Sequence, residues 1–207
     1  MIRGMRASVA AVMLAILAGC ASAPKEQFYT LSNGSGDRPA LPAQDYAVAV
    51  GPVYVPDVVD RPHLVLRMGG SEVRISEQVR WAEPLKEGIA RAVATDLARD
   101  LQNGRVSPRA APGSGEPDYR VTLDVQDFDS VLGKAATLEV MWTVRRVKDG
   151  EVHTGRKRVQ EPVANDSYDA LVTAHARALG EVSRSIAEMI RSSRAKDVAA
   201  TATGTTR

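Results

Sequence analysis

Between residues 119 and 159 the chain alternates apolar and polar residues in three successive segments, and that pattern permits few folds. Tyr119, Val121, Leu123 and Val125 alternate with Arg120, Thr122, Asp124 and Gln126. Ala136, Leu138, Val140, Trp142 and Val144 do the same against Thr137, Glu139, Met141, Thr143 and Arg145. A period of two puts every apolar member on one face, so each segment predicts a half-buried strand. Lys148-Asp149-Gly150 is turn chemistry and leads into a third strand over 152–159. Together they predict an antiparallel meander with one face that must be covered.

Two amphipathic helices are predicted to cover it. The first begins near Glu83-Pro84, where a proline at the helix start gives up no hydrogen bond. Leu85, Ile89, Val93, Leu97 and Leu101 recur every four residues, while Lys86, Glu87, Arg91, Asp96 and Arg99 form the charged face. Asn103-Gly104 predicts its left-handed stop. Asn165-Asp166-Ser167 offers caps for a second helix that runs to about residue 193. Its stripe is Leu171, Ala174, His175, Ala178, Val182, Ile186 and Met189. Upstream, 28–31, 46–55 and 63–67 are strand candidates, the last paired with 73–75 in a hairpin. Gly51-Pro52 predicts a kink or an edge position, because proline donates nothing to a ladder. Residues 32–44 and 108–117 are loops rich in Gly, Ser and Pro. The expected architecture is one α+β domain, an antiparallel or mixed sheet with both helices packed on one face.

The N-terminus bounds where this domain works. Arg3 and Arg6 precede an uncharged apolar run that ends in Leu17-Ala18-Gly19-Cys20. That is the layout of a secretory signal, with an apolar core too short to span a bilayer. Leu-Ala-Gly-Cys resembles a bacterial lipobox, so residues 1–19 are expected to be removed and Cys20 to carry covalent lipid. Residues 20–27 are then a tether, 28–194 the domain, and the Ala- and Thr-rich 195–207 a disordered tail. Ala21 and Ser22 follow the cysteine with no acidic residue, which by resemblance to other lipoproteins points to the periplasmic face of the outer membrane. Cys20 is the only cysteine, so the core must be stabilised by packing without disulfides.

Charge removes a class of partner. The chain has 27 Lys and Arg against 25 Asp and Glu, and losing Arg3 and Arg6 leaves the mature chain formally neutral. A general attraction to nucleic acid therefore has no basis. His63, His153 and His175 lack metal-ligand spacing, and neither Gly34-Ser35-Gly36 nor Gly113-Ser114-Gly115 has the context of a nucleophile elbow. No phosphate loop or dinucleotide fingerprint occurs. The expectation is a protein with no catalytic residues, no metal and no cofactor beyond its lipid. Arg156-Lys157-Arg158, with Arg145 and Arg146 on the preceding strand, is the densest basic cluster. It is either an edge strand kept soluble by charge or a docking patch for an acidic partner or lipid headgroups.

Four motifs stand in order along the chain: Tyr29-Thr30-Leu31, Val50-Gly51-Pro52-Val53, Asp60-Arg61-Pro62-His63-Leu64 and Arg80-Trp81-Ala82-Glu83-Pro84-Leu85. Asp60-Arg61-Pro62 suits a rigid corner before a strand, and Arg80, Trp81 and Glu83 suit a helix entry whose positive end a carboxylate favours. Either set is architectural or faces a partner. With the lipobox, these motifs resemble the ABC-type transport auxiliary lipoproteins, which include the PqiC/YmbA-like proteins. The resemblance implies a fold like the N-terminal domain of TolB. It also implies a non-catalytic subunit beside an ATP-driven transporter that works with an MCE-domain protein, moving lipids or other hydrophobic molecules between membranes. Self-association is a further expectation. The rival readings are a structural or assembly lipoprotein of the envelope and a periplasmic hydrolase.

Overall fold

The computed structural model describes residues 25–32, 41–109 and 115–204; the leader, Cys20 and parts of both predicted loops lie outside them. In chain order the elements are β1 (Gln27–Tyr29), β2 (Val48–Tyr54), β3 (His63–Gly69), β4 (Glu72–Trp81), α1 (Leu85–Asp100), β5 (Val106–Ser107), β6 (Tyr119–Val131), β7 (Ala135–Arg146), β8 (Val152–Pro162) and α2 (Tyr168–Gly204). The fold is α+β, with mixed sheets and two helices. It holds two sheets where the sequence suggests one: a five-stranded sheet ordered β5-β2-β6-β7-β8 and a three-stranded sheet ordered β1-β4-β3. α1 packs on β2 and β5, α2 packs on β7 and β8, and the helices pack on each other.

The predicted antiparallel meander forms, with Leu123 opposite Trp142 and Trp142 opposite Gly155. β6 continues beyond the alternating stretch because its register shifts between Val125 and Asp127. A bulge adds one residue and reverses which side chains face the core. Val121, Leu123 and Val125 point inward before it; Phe128 and Ser130 do so after it.

β2 carries the predicted kink. Its register with β6 shifts between Val50 and Val53, Gly51 adopts φ +128, and the Gly51–Pro52 peptide is cis. β2 is an interior strand, yet β5 pairs only with Val48 and Ala49, so Pro52 lies clear of that ladder.

Three expectations are corrected. Gln102, not the Asn103-Gly104 pair, takes the left-handed turn after α1, with φ 49. Asn103 is buried instead and bridges chain segments: its amide donates to the Tyr46 carbonyl at 2.9 Å, and its oxygen accepts from the Arg105 N–H at 2.9 Å. Asp96, placed on the charged face by its spacing, is buried, with Arg99 donating to it at 3.1 Å. Residues 195–204 are helical, not disordered, because an Ala-rich segment has high helix propensity and Asp197 pairs with Lys148. The predicted start of α2 holds, since the Ser167 hydroxyl accepts the Ala170 N–H at 3.1 Å.

Gly155 marks the tightest fit between neighbouring strands. A β-carbon there would fall 2.4 Å from two carbons of the Trp142 indole. Gly155→Ala is expected to cost about 1–3 kcal/mol by overpacking. The cost should shrink in a Trp142→Leu background, and equal losses in both backgrounds by urea unfolding would show that the indole is not the obstacle.

Candidate functional site

The predicted motif residues converge on one corner, where the loop before β3, the end of β4 and the start of α1 meet. The Arg61 N–H donates to the Val59 carbonyl at 2.8 Å, tightening the turn, and the Pro62 carbonyl accepts the Trp81 N–H at 2.7 Å. His63 pairs with Arg80 across the β3–β4 ladder. Asp60 reaches Lys86 on α1 at 2.6 Å, so its charge partner comes from the helix and not from the adjacent Arg61. Arg80 pairs with Glu26 at 2.8 Å, ahead of β1. Glu83 pairs with Arg91 and lies over Gly88, where a β-carbon would meet its Oε1 at 3.6 Å, an ordinary contact. Asp60, Arg61, Pro62, Arg80, Trp81 and Glu83 thus join a loop, a strand and a helix. Among the described residues, the buried Nε atoms of Arg61 and Arg80 have no hydrogen-bond partner.

Trp81 extends the corner into the core. Its ring meets Phe128 edge-on, with centroids 6.1 Å apart and planes at 83°. Phe128 stacks on His175 at 4.0 Å and 7°. His175 Nε2 lies 2.7 Å from the Ser130 hydroxyl, while its Nδ1 is without a partner among the described residues. Burial holds this histidine neutral, its pKa pushed down to about 3. Ser130 and His175 resemble part of a catalytic triad in composition only. Both are buried, so the pair presents no nucleophile to a substrate.

Beside this core line opens a cleft of about 200 Å³, lined by Pro56, Val58, Val59, Val65, Arg67 and Phe128 among others. Arg67 grips Asp129 with a fork, Nε at 2.9 Å from both carboxylate oxygens and Nη2 at 2.6 Å from one. Asp127 shares the cleft wall, and its burial, with the nearby Asp129 carboxylate, raises its pKa above the usual range. Sequence reasoning missed this cleft. Its only signal was the break in alternation after Gln126, which places Asp127 and Asp129 on the face opposite Phe128.

The basic cluster is dispersed. Arg156 and Arg158 lie on the sheet face away from the helices and both pair with Glu139, Arg158 at 2.9 Å. Hydrogen bonding from Arg156 holds the Glu139 carboxyl below the usual carboxylate range. Strand alternation turns Lys157 to the other face, where it meets Glu181 and the Ser185 hydroxyl at 3.3 Å. Arg145 stands opposite Val152, several residues along the sheet. These cations are mostly matched by local acids, which fits a solvated edge strand better than a concentrated patch. Among the described residues no group of His, Cys, Asp or Glu is placed to hold a metal ion, and no helix is long and apolar enough to cross a membrane.

The same arrangement of sheets and helices occurs in known structures. An uncharacterized protein of known crystal structure matches with a TM-score of 0.66 at 20% identity, over 81% of this chain and 99% of its own. A Xanthomonas campestris protein of the DUF330 family matches with a TM-score of 0.65 at 20% identity, over 83% of this chain and 98% of its own. At that identity they establish a shared fold. No curated protein matches the chain by sequence. The sequence itself matches the family model of the ABC-type transport auxiliary lipoprotein component over residues 29–187. The chain belongs to that family, and is thus a lipoprotein of the auxiliary class.

The buried histidine gives the domain a pH signature. With a folded pKa near 3, below the ordinary 6.5, His175 binds its proton more readily when the chain unfolds. Its contribution is complete above pH 6.5 and is lost as pH falls toward 3. Between pH 7 and pH 5 the loss from this group is expected to be about 2 kcal/mol. His175→Phe should lack that component in urea unfolding, and an unchanged pH dependence in the variant would contradict the assignment.

Proposed function

We propose that this protein is a non-catalytic subunit of an ABC-type transport system, held by acyl chains on Cys20 at the periplasmic face of the outer membrane. In this reading its partner is an MCE-domain protein of the same system, and the cargo is lipid or another hydrophobic solute moved between the membranes. Self-association of the domain is part of the proposal. The observation that carries it is the family match over residues 29–187, which takes in most of both sheets and both helices. Two further features support it. The lipobox ends seven residues before Gln27, leaving a tether suited to a membrane-bound domain. Among the described residues, the Ser130–His175 contact is sealed in the core and closed to a substrate.

The corner then has a mechanical task. Asp60 holds α1 and Arg80 holds the entry to β1, so the chain leaving the tether is braced against the body of the domain. The adjoining cleft offers valine side chains beside a neutralised ion pair, a surface suited to an apolar or amphipathic segment of a partner.

Membrane fractionation tests the anchor. Cys20→Ser is expected to release the protein from the envelope, and Ala21→Asp to move it from the outer to the inner membrane fraction. Unchanged fractionation of either variant would overturn the corresponding assignment. A mild-detergent pull-down of the acylated protein is expected to recover an MCE-domain protein, and deletion to raise envelope permeability. Recovery of assembly or cell-wall factors alone, with permeability unchanged, would favour a structural lipoprotein.

A further inference from the structure

The hairpin formed by β3 and β4 carries apolar side chains that its own sheet does not bury. Met68, Val73 and Ile75 are 40–44% exposed at or near its Gly69-Gly70 turn, and Val58 is 45% exposed beside it. Over Glu72–Ile75 every residue is exposed, so this end of the hairpin stands clear on both faces. Val73 and Ile75 are two residues apart and share a face, which runs on into the valine-lined cleft. Arg67, opposite Val73 in the ladder, is held by Asp129 and ties the hairpin to β6.

The path of the chain links this tip to the anchor. β1 runs parallel to β4, with Gln27 opposite Val79 and Tyr29 opposite Trp81. Moving from Gln27 toward the N-terminus is therefore moving along β4 toward its start at Glu72. Seven residues separate Gln27 from Cys20, and seven separate Val79 from Glu72. At about 3.3 Å per extended residue, each interval spans roughly 23 Å. The tether can thus reach the level of Glu72, beside the hairpin turn, and no farther along this axis, so a shorter path leaves the tip projecting past the anchor.

We propose that the β3–β4 turn is a second membrane contact, with Met68, Val73 and Ile75 seated in the interface of the bilayer that holds the Cys20 acyl chains. This rests on the anchoring at Cys20 argued above. Acyl chains on one residue hold the protein to the bilayer without fixing its orientation, and a second apolar contact supplies that orientation. Arg74 and Glu72, which flank Val73, remain at headgroup level. The cleft beside Val58 and Val59 then opens at the membrane surface, where a hydrophobic molecule passes between bilayer and protein without crossing water.

The test uses the full acylated chain, in which an introduced cysteine is the sole free thiol because Cys20 is the only native one. An NBD fluorophore is placed on Val73→Cys, on Ile75→Cys and, as a control, on Lys148→Cys. Lys148 lies just beyond the far end of β7, while the hairpin is tied to Asp129, opposite Thr137. Each protein is floated with vesicles of phosphatidylethanolamine and phosphatidylglycerol, then probed with lipids spin-labelled at graded depths. The expected result is blue-shifted emission and quenching by shallow labels at 73 and 75, with neither at 148. Floating vesicles with unshifted, unquenched probes at 73 and 75 overturn the tip contact while leaving the anchor intact. Burial of those probes only after envelope protein is added also overturns it and assigns the tip to a protein partner. Failure of the acylated chain to float overturns the anchor and the tip contact together.

Discussion

The bulge in β6 is the constraint on which the rest of the molecule depends. β6 pairs with β2 on one side and β7 on the other, and it also touches β3 of the smaller sheet. One extra residue near Gln126 reverses its facing, so a single strand serves two neighbourhoods. Before the bulge its apolar residues complete the core beneath the helices. After it, Phe128 turns inward between Trp81 and His175, while Asp129 turns outward to hold Arg67. Without that reversal Phe128 would lose its place between Trp81 and His175, and Asp129 would face the core, where an unpaired carboxylate is costly.

This junction explains why the family motifs lie where they do. Asp60, Arg61 and Pro62 turn the chain into β3; Trp81 ends β4 and supplies the ring that meets Phe128. The motif residues join the three-stranded sheet to α1 and to β6, so the orientation of the hairpin depends on them. Charge follows a similar local logic. Arg146 is surrounded by Asp149, Glu151 and Asp197, and Arg156 and Arg158 share Glu139. With its charges matched locally, the described surface concentrates no excess of one sign around these arginines.

Much of the fold was legible because its signals are local. The alternation around Leu123 and Trp142 predicted their strands, and the four-residue spacing of Leu85, Ile89 and Val93 predicted α1 with its buried face. His175, placed in the stripe of the second helix by its spacing, is buried there. Asp96 misled because spacing assigns a face but not the neighbour that covers it. Asn103-Gly104 misled for a related reason: the asparagine serves a distant carbonyl on Tyr46, and Gly104 is demanded by close approach to the Leu41 carbonyl, 2.8 Å from where a β-carbon would sit. The basic run seemed continuous along the sequence, but alternation divides Lys157 from its neighbours.

The sequence by itself determined the elements, the amphipathic faces and the kinship of the chain, because periodicity and short motifs are written in neighbouring residues. Only the tertiary structure decided that there are two sheets, that β1 runs parallel to β4, and that Arg67 meets Asp129 across 62 positions of chain. Parallel pairing and a bulge leave little trace in composition, since both depend on which distant strand arrives alongside. The direction in which the chain enters β1 follows from that pairing.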